Sequence, residues 1–122
     1  MTDLLTTLDN HQLWLDGDPA GVRADFTNAD MTGANLSGAF LPHANLYSAD
    51  LTRADLTNAY LDSADLTDVD LTGANLTGAD LTDAYLTGAN LSGADLTGVD
   101  LSGATLTVED LIGATLTDVV LN

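Results

Sequence analysis

Neither cysteine nor lysine occurs in this sequence, and proline occurs only at Pro19 and Pro42. Without cysteine there is no disulfide to staple the fold and no thiolate to hold a metal ion. Without lysine the positive charge rests on Arg23 and Arg53, against 19 acidic residues that are all aspartate except Glu109. The resulting net charge of −17 repels nucleic acid and anionic lipid, which excludes both as direct partners. It leaves cations, basic proteins and proteins that normally hold DNA. No apolar run approaches the roughly 18 residues of a membrane span. The early leucines are broken by Thr and Asp, and the first arginine is Arg23, a pattern unlike a secretory leader. A soluble, cytoplasmic protein is expected.

What the chain does have is a period. A large apolar residue recurs every fifth position from Phe26 and Met31 through Leu36 and Leu41 to Leu121, and all but the first two are Leu. Two residues before each centre stands Ala, replaced by Val at Val69, Val99 and Val119 and by Glu109 once. With 45% apolar residues held in this phase, the charge does not imply disorder. A period of five fits neither a helix nor a simple alternating strand. Residues two apart in extended chain point the same way, so each unit has an inward pair, then three outward residues and a bend. Gly33, Gly38, Gly73 and their successors suit the bend, as do Asn28, Asn58, Asp68, Asp83 and Asp118. A chain that bends every five residues with one side inward coils around an apolar axis as a solenoid.

Units such as Ala49-Asp50-Leu51-Thr52 and Ala89-Asn90-Leu91-Ser92-Gly93 make the chain resemble the pentapeptide-repeat family. The resemblance implies an all-β solenoid, a right-handed quadrilateral β-helix with four pentapeptides per coil. The repeats then fill about five coils, roughly 24 Å of rod at about 4.8 Å per coil.

The ends differ. Residues 2–16 carry a helical stripe of Leu4, Leu8, His11 and Leu15, and Gly17 and Pro19 supply a stop. Residues 1–21 thus read as a short N-terminal α-helical cap and turn, and 22–122 as the β-helix, together one domain. The cap would cover an open solenoid end, with Trp14 near Phe26. No helix follows the last coil. Leu116 and Leu121 fall in inward slots there, while Ile112 and Val120 turn outward. An end-to-end homodimer through Ile112, Leu116, Val119, Val120 and Leu121 would cover this face, and members of the family are often paired so. Glu109 takes an inward slot in the same coil, where a carboxylate must reach water at the rim or find a hydroxyl such as Thr107.

Folding the sequence by twenty aligns its outward residues. Asp30, Asp50, Asp70, Asn90 and Asp110 form a nearly all-acidic column. It either imitates a row of phosphates or places short side chains where they bond the nearby backbone. A linear ladder does not converge as calcium requires, so no metal or cofactor site is expected. Phe40 and Tyr60 stack in another column, with Tyr47 and Tyr85 on a neighbouring side, as a partner's anchor or as cross-strand packing. Ser37, Thr57, Thr77, Thr97 and Thr117 form a hydroxyl column, the ordinary residues of such repeats. His11 lies on the helix stripe and His43 at a corner, with no nucleophile arranged around either.

The expected protein is therefore not an enzyme but a rigid acidic rod that serves as a protein-interaction scaffold. The alternative is a DNA mimic. Quinolone-resistance members of the resembled family engage type II topoisomerases in place of DNA, which makes DNA gyrase or another DNA-binding protein a candidate partner. Removing Asp3, Asp9, Asp16 and Asp18 from the 19 acidic residues leaves 15 between Asp25 and Asp118. Over about 24 Å that density is near the duplex value of one charge per roughly 1.7 Å, although it is shared among four sides. Adaptation to high salt would account for the same surface without any partner.

Overall fold

The structure is a computed structural model that describes residues 3–122. Helix α1 spans Leu4–Leu15, with Asp3 as its N-cap accepting from the Thr6 N–H at 2.8 Å. Thr2, expected within the helix, lies outside the described residues, as does Met1. The helix stops where Gly17 takes φ 79°, with Gly17 N–H donating to Trp14 C=O and Asp18 N–H to Leu13 C=O. That is a Schellman closure, which needs a left-handed residue at Gly17. Gly21 then passes so close to the helix that a Cβ on it would collide with the Trp14 backbone.

From Asp25 to Tyr85 each repeat pairs in parallel with the one twenty residues later, as in Asp25 with Asn45, Phe40 with Tyr60 and Asp80 with Asp100. Four five-residue sides per turn follow directly. The regular sides are held by the same two bonds: Leu51 N–H donates to Asp70 C=O at 2.8 Å, and Asp70 N–H to Ala49 C=O at 3.0 Å. Between sides a tight turn closes, as where Ala29 N–H meets Phe26 C=O at 2.9 Å. Its third residue has positive φ at every expected glycine and at Asn28, Asn58, Asp68, Asp83 and Asp118. It also does so at His43, a residue type that tolerates it, and at Ser48, Arg53 and Ser63, whose side chains do not favour that conformation. The ladder on either side imposes it.

Inside, the leucines from Leu36 to Leu96 are at most 1% exposed, and the small residues between them are buried too. Leu4 and Leu8 of α1 pack against one end of this core. Trp14, expected beside Phe26, stacks on the His11 ring at 5.4 Å and lies 5.9 Å beneath the Arg23 guanidinium.

The last coil departs from the repeat. Val108–Leu111 form a 3-10 turn with no buried residue, so Glu109 does not occupy the inward slot its register assigns. An unpaired carboxylate on the apolar axis would cost several kcal/mol, and the turn carries it to solvent. The pairing slips with it: Gly93 N–H meets Gly113 C=O, whereas Gly73 one coil earlier meets Ser92. Register returns at Leu96 N–H and Thr115 C=O. Leu111 still reaches the core as a half-buried residue. Leu116 and Leu121, assigned inward, are 42% and 59% exposed on the outer face of this coil.

Candidate interaction surfaces

The acidic column is built by the ladder. Asp30 pairs with Asp50 and Asp50 with Asp70 on successive coils, which sets their carboxylates about one strand spacing apart. Each carboxylate folds back on its own turn. Oδ1 of Asp30, Asp50 and Asp70 accepts the backbone N–H of Thr32, Thr52 and Thr72 at 3.1, 2.9 and 3.0 Å, and Asp70 Oδ1 also takes the Thr72 hydroxyl at 2.6 Å. These are Asx turns, and Asn35, Asn45, Asn75 and Asn90 make the same bond through an amide oxygen. Bonds of this kind, first from the hydroxyl and then from the backbone N–H, hold Asp25, Asp50, Asp55, Asp95 and Asp100 below the ordinary carboxylate range.

Asp110, aligned with this column by sequence, leaves it. Among the described pairs none joins it to Asn90. Its Oδ2 instead accepts the Thr107 N–H at 2.8 Å within the 3-10 turn. The column ends one coil early, by the same distortion that frees Glu109.

Phe40 and Tyr60 meet as an edge-to-face pair, centroids 5.3 Å apart at 64°, and remain 44% and 47% exposed. They touch each other and still present half of each ring to solvent. Tyr47 and Tyr85 are exposed on the neighbouring side.

The two ends of the rod are unlike. At the C-terminal end Ile112, Val120 and Leu121 are exposed beside Leu116, and Val119 is half-buried. The residues proposed for a dimer therefore lie together on the last coil. At the N-terminal end α1 leaves part of the core uncovered, a cleft of about 580 Å³ lined by Leu4, Val22, Phe26, Ala29, Met31 and Ala34.

One residue at this end escaped the sequence reading beyond its place on the stripe. His11 is 0% exposed. Its Nδ1 accepts the Ala24 N–H at 2.9 Å, so the proton sits on Nε2, which donates to the Pro42 C=O at 2.8 Å. A single imidazole thus ties α1 to two separate sides of the first coil. Burial, foremost, lowers its pKa, and Arg23 and His43 push the same way against the Pro42 bond. Both partners are backbone groups, which leave no mark in a sequence.

Repeating Ala-Asp/Asn-Leu units, left-handed turns and a twenty-residue pairing define a quadrilateral solenoid of five-residue sides. The pentapeptide-repeat family model matches residues 24–62 and 64–103 in eight copies, and the chain belongs to that family. No curated protein matches the sequence. Among solved structures, a pentapeptide repeat protein from Nostoc PCC 7120 is 30% identical with a TM-score of 0.67, the match covering 98% of this chain and 95% of that one. A pentapeptide repeat protein of the Arabidopsis thaliana thylakoid lumen is 32% identical over 74% of this chain, with a TM-score of 0.63. The match covers 59% of that protein's length. The fluoroquinolone resistance protein QnrB1 aligns at 22% identity and a TM-score of 0.44, over 83% of this chain and 67% of its own. That likeness bears on no function here.

Proposed function

We propose that the protein is a non-enzymatic binding rod: about five coils of right-handed β-helix, capped by α1 and working in the cytoplasm as a scaffold for another protein. The observation that carries this reading is the Phe40–Tyr60 pair. Half-exposed aromatic faces on a rigid sheet are a pre-organised anchor of the kind that dominates protein interfaces. The ladder beneath them holds the backbone, so binding costs little ordering. Neighbouring carboxylates would favour a partner with a basic surface. The test is a pull-down from native lysate with the wild type and a Phe40→Ala, Tyr60→Ala double variant. A protein retained by the first and lost by the second supports the scaffold, and identical capture by both removes these rings from it.

The acidic column favours a second reading, DNA mimicry toward DNA gyrase or another DNA-binding protein. In this column the Thr52 hydroxyl and N–H hold the Asp50 carboxylate below the ordinary range, so that it is ionised at physiological pH as a phosphate is. Asp50→Asn with Asp70→Asn preserves both turn acceptors while deleting two charges. Gyrase supercoiling inhibited by the wild type, less by this variant and less in high salt, is the expected pattern. Full supercoiling at micromolar excess of the wild type refutes mimicry of gyrase.

The scaffold is a homodimer in this reading, joined through Ile112, Leu116, Val119, Val120 and Leu121 about a two-fold axis. The exposed apolar side chains and the unpaired ladder of the last coil support it. Light scattering decides: Leu121→Asp should give monomers, and a wild type already monomeric at high micromolar concentration refutes the dimer.

A further inference from the structure

We infer that His11 is an acid-sensitive latch, whose protonation releases α1 from the first coil and uncovers the N-terminal end of the core. The geometry allows only one charge state. Nδ1 must accept the Ala24 N–H while Nε2–H serves the Pro42 carbonyl. Adding a proton turns Nδ1 into a donor facing a donor, so the Ala24 bond is lost and its N–H is left without a partner. The ring is 0% exposed, and water cannot take over either role while the helix stays docked.

The surroundings do nothing to accommodate the new charge. The titratable and charged groups that act on His11 are Arg23 and His43, one a cation and the other able to become one. Arg23 is itself fixed at the site, its Nε–H donating to the His43 C=O at 2.6 Å and its guanidinium lying over Trp14. Trp14 contributes a ring face stacked on the imidazole. Folded His11 thus resists protonation, whereas the released residue titrates normally near about pH 6.5. Docking is at full strength above that value and is lost as pH falls below it.

The other ties between helix and rod do not titrate in this window: Val22 N–H donates to Asn10 C=O at 3.0 Å, Gly21 and Arg23 lie against Trp14, and Leu4 and Leu8 rest on the core beside the open cleft. The solenoid ladder contains no histidine side chain among its bonds and persists through the same window. Acid therefore separates helix from rod without unfolding the rod, and exposes Ala24, Phe26 and Met31.

The experiment uses the whole chain from about pH 8 to about pH 5, above the range where its carboxylates titrate. Ring nitrogens of His11 are followed by NMR, together with amide exchange at Val22 and Ala24 and the emission of Trp14, the sole tryptophan. Expected are one shared midpoint below about 6.5, at least tenfold faster exchange at both amides, red-shifted emission, and unchanged exchange at Leu51 and Leu71. His43→Asn should keep the transition with its midpoint moved up, because one of the two groups that oppose the charge on His11 is gone. His11→Gln can offer an acceptor and a donor without titrating, and should abolish the transition. The latch is refuted if His11 takes a proton while Val22 and Ala24 stay protected, if they open while the ring is still neutral, or if His11→Gln keeps the midpoint. Should His11→Gln already be open at pH 8, the wild-type comparison of ring and amides decides alone.

Discussion

Trimming the same side chain at two depths of the rod separates a stacked core from a surface stripe. Leu71 is fully buried and its side sits between those of Leu51 and Leu91, paired through Asp50, Asp70 and Asn90. Leu71→Ala removes about three carbons from the core, roughly 2.4 kcal/mol at about 0.8 per carbon. The void adds to this because the neighbours cannot close it. Leu51 N–H is fixed to Asp70 C=O and Leu71 N–H to Asn90 C=O, both at 2.8 Å, so neither flanking coil can slide inward. The cost should lie near about 4 kcal/mol, in the upper part of the range for such truncations. Leu116 occupies an equivalent slot but is 42% exposed, and its truncation opens no closed void. Losing rather more than half of the transfer term gives about 1–1.5 kcal/mol. Urea melts of Leu71→Ala, Leu116→Ala and the wild type, analysed with a common slope, measure both numbers. Thr72→Ala, which loses only a partly exposed hydroxyl bond to Asp70, serves as the outward control at no more than about 1 kcal/mol. Equal losses at Leu71 and Leu116 would refute a continuous layered core, and a Thr72 loss as large as that at Leu71 would reverse inside and outside.

Four further outcomes follow from other parts of the rod. Stacked aspartates repel, so the melting temperature should climb by roughly 5 °C between low and moderate sodium chloride; a flat curve in differential scanning calorimetry would mean the carboxylates are already compensated. Asp25, Asp55, Asp95 and Asp100 have pKa values below the ordinary 3.8 when folded, so their contribution is complete above that value. It is lost as pH falls through it toward the folded values, and acid melts should show stability declining there rather than rising. Ser63 carries φ 58°, and Ser63→Gly should stabilise by up to about 1 kcal/mol by relieving the left-handed turn, while a loss in thermal melts would show that its hydroxyl matters more than its backbone. Gly21→Ala should drive α1 away from the first coil, seen as faster amide exchange at Val22, because the added carbon meets the Trp14 backbone; unchanged protection there would contradict the close approach.

The interior was legible because burial depends on side-chain size and polarity, which a five-residue phase displays openly. Leu36 to Leu101 and their Ala or Val partners all lie where the phase puts them. Turns were legible only where the residue itself favours positive φ, as at Gly33 or Asn58. Ser48 and Arg53 adopt it because neighbouring strands leave no choice, and that constraint belongs to the ladder. The acidic column was half legible: its alignment was apparent, but Asp110 left it once Glu109 could not be buried. A lone exception in a regular series moved its neighbours too. His11 showed its place on a stripe and nothing of its purpose, since its partner Pro42 is 31 residues away.

The contrast between the two ends has a consequence for how the chain is made. Each coil bonds only to the coil twenty residues on, so no side of the rod waits for a distant strand. The helix, its Gly17 stop and the first coil are synthesised first, and they form the end that is tied down. Every later coil meets a finished edge whose free donors and acceptors already specify its register. Folding can therefore advance in step with translation, one side at a time, from an anchored start toward a ragged finish. A growing edge of this kind is sticky only at its front, and the front moves with the ribosome from one coil to the next.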